Sequence, residues 1–125
     1  MKLSLTIIAL SLSIISCMPK ASENSKNITV TEAYALIESN SDIQIIDVRT
    51  PDEWSNGIIE NAIKINIKDS DFATKLAELD KDSPTLVYCK SGGRSARATV
   101  IMEELGFREL YNMLGGYDAV LKGED

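Results

Sequence analysis

The sequence predicts an α/β fold, doubly wound, with a mainly parallel five-stranded sheet and helices on both faces. Three observations predict it. Short aliphatic runs alternate with segments of helical period along the chain, the pattern of strand–helix–strand units. Residues 43–48 and 85–88 are almost wholly apolar, as strands covered on both faces must be. The second of these runs leads into Cys89, Lys90, Ser91, Gly92, Gly93, Arg94 and Ser95, and then into a helical face of Ala98, Ile101, Met102 and Leu105. A strand, a glycine loop and a helix start place a side chain at the carboxyl edge of a parallel sheet, where such folds bind ligands.

The elements follow in order. Residues 1–16 read as a signal peptide: Lys2, then an apolar run over 3–15 that is too short to span a bilayer, which takes about 20 residues. The run closes in Ile14, Ile15, Ser16 and Cys17, a sequence similar to a bacterial lipoprotein signal. That resemblance implies cleavage before Cys17, lipidation of Cys17, and an exported protein held in the envelope only by its lipid, at the outer membrane where the cell has one. Residues 17–27 are then a polar tether of roughly 17 Å reach, and residues 28–125 the folded domain.

Within the domain, a strand is expected at 28–30, then a helix capped by Thr31 and running to Glu38, with Ala33, Leu36 and Ile37 inward. A second strand covers 43–48. Pro51 starts a short helix holding Trp54, which stops at Asn56 and Gly57. A third strand covers 62–67, with Ile63, Ile65 and Ile67 alternating. A helix over 69–79 turns Phe72, Leu76 and Leu79 inward and carries an Asp71–Lys75 surface pair. The fourth strand is 85–88; Gly106 ends the helix after it; 110–114 is the fifth strand and 117–122 the closing helix.

Composition narrows the chemistry. The chain has 125 residues, room for one domain with a modest core, and no internal repeat. Its net charge is −6 with the acids scattered, and there is no basic stripe to meet nucleic acid. There is no histidine, which removes Cys–His dyads, Ser-His-Asp triads and the usual zinc sites. Cys89 is the candidate nucleophile. Loop N–H groups, a helix start, and the charges of Lys90 and Arg94 all favour its thiolate, while Gly92 and Gly93 let the backbone take positive φ. Asp47 and Arg49, at the end of the second strand, either line the pocket or, with Arg49 paired to Asp47, Asp52 or Glu53, tie down the loop. Lys64 and Lys68 read as a solvated face.

The stretch from Cys89 to Ser95 resembles the active-site loop of the rhodanese family, sulfurtransferases that carry a persulfide on a loop cysteine. Residues 47–54 and 57–67 are similar to that family's upstream signature, and residues 105–107 and 110–117 to its closing segment, in the family's order. The resemblance implies that Cys89 is catalytic and that Lys90, Ser91, Gly92, Gly93, Arg94 and Ser95 bind substrate, with no cofactor and no metal. The implied partners are a small anionic sulfur donor such as thiosulfate and an acceptor, cyanide or a thiol, including that of a thiol-redox protein. Departures stand out: Ile58 where many members have histidine, and Glu60 and Asn61 where proline and glycine are frequent. Glu53 and Ser91 stand where the two-domain thiosulfate enzymes tend to carry basic residues. Two other readings stay open. One is a carrier that only hands sulfur to a partner. The other is a phosphatase or arsenate reductase, whose loops place five residues between cysteine and arginine; here there are four.

Overall fold

The structure, a computed structural model, describes residues 24–125. Cys17 and the apolar run before it lie outside the described residues. The elements are β1 (Ser25–Ile28), α1 (Val30–Ser39), β2 (Gln44–Asp47), α2 (Pro51–Trp54), β3 (Ile63–Lys64), α3 (Phe72–Ala77), β4 (Thr85–Tyr88), α4 (Gly93–Glu104), β5 (Leu110–Met113) and α5 (Gly116–Lys122). The five strands form one sheet in the order β1-β5-β4-β2-β3, and every pairing is parallel. The expected α/β architecture is therefore the observed one.

Strand β4 lies at the centre with all four residues buried. Its alternation divides the core in two. Val87 and Cys89 join Ile46, Phe72, Leu76, Ala98 and Met102 on the face covered by α3 and α4. Leu86 and Tyr88 join Val30, Ala33, Met113 and Tyr117 on the face covered by α1 and α5. Burying a side chain such as Leu86 or Val87 contributes about 1.5–3 kcal/mol. This packing is what makes the end of β4 a rigid place to mount a side chain.

Four boundaries differ from expectation. The first strand is Ser25–Ile28, inside the stretch read as tether, because backbone pairing with β5 holds it and its exposed residues carry no apolar signal. Helix α1 is capped by Thr29, not Thr31: Thr29 Oγ1 accepts from Glu32 N at 3.2 Å, and Thr29 N donates to Glu32 Oε2 at 3.0 Å. That reciprocal pair needs glutamate three residues on, which Thr29 has and Thr31 lacks. Helix α3 is shorter than 69–79 because its flanks are single turns, with Phe72 N donating to Asp69 O and Leu79 N to Leu76 O at 3.1 Å each. The Asp71–Lys75 pair is present at 3.3 Å. Strand β3 covers only two residues, yet Ile65 and Ile67 still donate to Asp47 O and Val48 O. Asn61 has φ of +65°, the left-handed conformation that asparagine tolerates best after glycine.

Candidate active site

The site is built where β4 leaves the sheet. Tyr88 O still accepts from Val48 N at 3.1 Å, but the next two carbonyls turn to α5: Cys89 O accepts from Tyr117 N at 2.8 Å and Lys90 O from Asp118 N at 3.0 Å. Carbonyl and N–H of one trans peptide point in opposite directions. Drawing Lys90 O toward α5 therefore turns the Ser91 N–H of the same peptide away from it, and that N–H is one of those that lower the Cys89 pKa. Gly92 N donates to Cys89 Sγ at 3.1 Å, and Ser95 Oγ lies 3.3 Å from Sγ.

Cys89 is 1 % exposed. Burial opposes its ionisation, but the Ser95 hydroxyl and the N–H groups of Ser95, Gly92 and Ser91 outweigh it, and the thiol pKa falls below its ordinary value. The lowered pKa agrees with the sequence reading, as do the loop N–H groups among its causes; the Ser95 hydroxyl is the largest favourable one. Lys90 is exposed at the loop's outer side. Arg94 gives its guanidinium fork to Glu53, with Nη1 2.7 Å from Oε1 and Nη2 2.8 Å from Oε2. Backbone dipoles and one hydroxyl are the main stabilisers of the sulfur anion, and the charge of Arg94, though paired with Glu53, acts on Cys89 as well. Only Gly92 of the glycine pair has positive φ, at +109°; Gly93 is the first residue of α4 and has open space where a side chain would begin.

The Glu53–Arg94 pair ties α2 to the loop. Arg94 holds the Glu53 carboxyl at about 2, against an ordinary 4.5, with Thr50 adding a hydrogen bond. A carboxylate with a depressed folded pKa contributes stability that is fully present above pH 4.5 and lost as pH falls through 2. At neutral pH this is on the order of 2 kcal/mol once solvent screening of a partly exposed pair is allowed for. Urea midpoints should therefore separate wild type from Glu53→Gln by about that amount at pH 7, with the gap closing as pH approaches 2.

Asp47 and Arg49 form a buried, two-pronged pair, with Nη2 to Oδ2 at 2.7 Å and side chains 0 % and 3 % exposed. Arg49 also donates to Gly57 O at 2.7 Å and Glu53 O at 3.3 Å, and stacks on the Tyr117 ring at 4.3 Å. Arg49 thus pairs with Asp47 among the partners expected for it and ties down the loop that holds Glu53 and Gly57. Tyr88 supports the same loop, its hydroxyl accepting from Ile59 N at 2.9 Å. Lys64 sits over the Trp54 ring, 5.6 Å from its centre.

Sequence reasoning missed Asn112. Ser95 Oγ lies 2.6 Å from Asn112 Oδ1 and 3.1 Å from Gly92 O, as well as 3.3 Å from Sγ, and the hydroxyl has one proton to give. Asn112 Nδ2 donates in turn to Asn27 Oδ1 on β1 at 3.1 Å. A thiolate needs the Ser95 proton, and rotating the Asn112 amide to point Nδ2 at Oγ releases it. Asn112→Asp offers only acceptors when ionised and should keep that proton from the sulfur. Alkylation of Cys89 should then titrate at higher pH, with the neutral-pH rate about tenfold lower. A single polar residue inside the apolar run 110–114 was the signal that could have found it.

Comparison with known proteins agrees with this geometry. A family model described as the rhodanese-like domain matches residues 29–122. The thiosulfate sulfurtransferase GlpE of Coxiella burnetii is 35% identical over 94 residues, covering 74% of this chain and 84% of the relative. A rhodanese-like domain protein of Staphylococcus aureus superposes with a TM-score of 0.67 at 31% identity, over 75% of this chain and 89% of that one. The polysulfide-sulfur transferase of Wolinella succinogenes gives 0.66 at 32% identity, over 83% and 79%.

Proposed function

The chain belongs to the rhodanese-like domain family of sulfurtransferases, and from that membership we propose that it moves a sulfane sulfur from a small anionic donor to a thiol or cyanide through a persulfide on Cys89. The observation that carries the proposal is the sulfur at the end of β4, held by Gly92 N–H and the Ser95 hydroxyl with its pKa lowered.

The Cys89 thiolate attacks the outer sulfur of the donor. A new S–S bond forms as the donor's S–S bond breaks, and with thiosulfate the electron pair leaves on sulfite. An acceptor thiolate or cyanide then attacks the outer sulfur, and the pair returns to Cys89. Neither step needs a proton from the protein, so the absence of histidine is no obstacle. The N–H groups that hold the thiolate also face the charge that returns to it.

A polysulfide donor is the second reading, favoured by the engagement of both Arg94 prongs with Glu53. A fork already bound to a carboxylate is not free to grip the oxyanions of thiosulfate. Intact mass after incubation with thiosulfate or with polysulfide, before and after cyanide, separates the two. Uptake of one sulfur, removable by cyanide, is expected from at least one donor; no uptake from either overturns the proposal. Uptake without repeated turnover leaves the carrier reading.

A further inference from the structure

Beside the sulfur loop lies a groove of about 370 Å³ lined by Ile67, Lys68, Arg94, Arg97 and Ile101. Arg94, Arg97 and Ile101 fall at i, i+3 and i+7 on α4, one face of the helix. Ile67 and Ile101 pack against the same core face that includes Cys89. Lys68 and Arg97 are exposed, and among the described residues neither side chain has an ion-pair partner. Among the described residues no acidic side chain lines the groove, in a chain whose net charge is −6.

We propose that this groove seats the sulfur acceptor, and that the acceptor is a small thiol bearing one or more carboxylates. The proposal rests on the sulfurtransferase reading and names its acceptor class. An acceptor attacks as a thiolate, having lost its proton to solvent, and meets an anionic persulfide. Its sulfur bonds the outer sulfur of the persulfide, the bond to Cys89 Sγ breaks, and the electron pair remains on Cys89. Lys68 and Arg97 offset the repulsion between the two anions by binding the carboxylates, while the isoleucines take the carbon chain. Arg94 joins the groove to the loop: it lines the one and opens the first turn of the helix that follows the other.

The test uses the full chain loaded with sulfur and freed of donor, so that discharge is read alone. Loss of the persulfide is followed by mass against mercaptosuccinate or 2-mercaptoethanol. In the Lys68→Glu, Arg97→Glu double variant, the half-saturating concentration of mercaptosuccinate should rise at least about tenfold, with 2-mercaptoethanol unchanged. Lys68→Gln with Arg97→Gln should fall between. Equal effects on both thiols, or none, overturn the proposal. A second arm needs no sulfur chemistry: succinate added to Cys89→Ser should shift the backbone amide resonances of Lys68, Arg97 and Ile101, and the charge-reversed variant should not respond. Failure to load sulfur alongside an intact succinate response removes the sulfurtransferase reading and leaves the anion site standing. Loading without any succinate response removes the site.

Discussion

Cys89→Ser is expected to lose sulfur uptake entirely, with any residual transfer at least about a thousandfold below wild type. A hydroxyl is not ionised near neutral pH and forms no S–S bond, so neither attack on the donor nor retention of the sulfur survives. The fold should survive. Serine is nearly isosteric, and its oxygen can accept from Gly92 N–H where the sulfur did, so no buried donor is abandoned. Intact mass after donor treatment and a thermal melt check the two halves. A variant that still gains a cyanide-removable sulfur would place the chemistry elsewhere.

Gly116→Ala should disable the site without touching it. A methyl group at this position would stand 2.5 Å from the carbonyl carbon and oxygen of Lys90 and 2.6 Å from Cys89 O. Backbone cannot yield as a flexible side chain does, and Gly116 has φ of +58°, where a side chain costs a further 1–2 kcal/mol or so. Either α5 withdraws or the loop shifts. In both cases Tyr117 N and Asp118 N release the carbonyls of Cys89 and Lys90, and the Ser91 N–H that shares a peptide with Lys90 O loses its fixed direction toward Sγ. We expect about 2–4 kcal/mol less stability by urea unfolding, and sulfur uptake slowed about a hundredfold. Gly93→Ala is the matched control, since open space surrounds that position and its φ is not positive; it should load sulfur at the wild-type rate.

Much of this was legible in the sequence because the signals were local. The run 85–88 coincides with β4 because Leu86, Val87 and Tyr88 in succession can only be covered on both sides, and Gly106 ends its helix through a left-handed turn of φ +98°. Cys89 could be picked out because a glycine loop and a helix start follow it. What could not be read depends on pairs far apart in the chain. Ser25 to Asn27 are polar and become a strand only by lying against β5. Arg94 looked like a free charge because Glu53, 41 residues earlier, is brought to it by the fold. The role of Gly116 depends on where α5 lands, and Asn112 matters only because Ser95 faces it across the helix–sheet contact. Lengths also failed where ends are held by single turns, as in α3, which no periodicity marks.

The hold of α5 on the loop carbonyls makes ionisation of one thiol a property of the whole folded chain. Residues 91, 92 and 95 supply the donors and residues 117–118 hold the carbonyls of residues 89 and 90 beside them, so an unfolded chain has none of this and its Cys89 titrates normally. Because the folded thiol has the lower pKa, deprotonation favours the folded state. The added stability is complete above the ordinary thiol pKa of 9.0 and is lost as pH falls through the folded value. Folding and nucleophilicity are thus two readings of one equilibrium. Whatever loosens α5 weakens both together, and mild alkali tightens the domain that acid would relax.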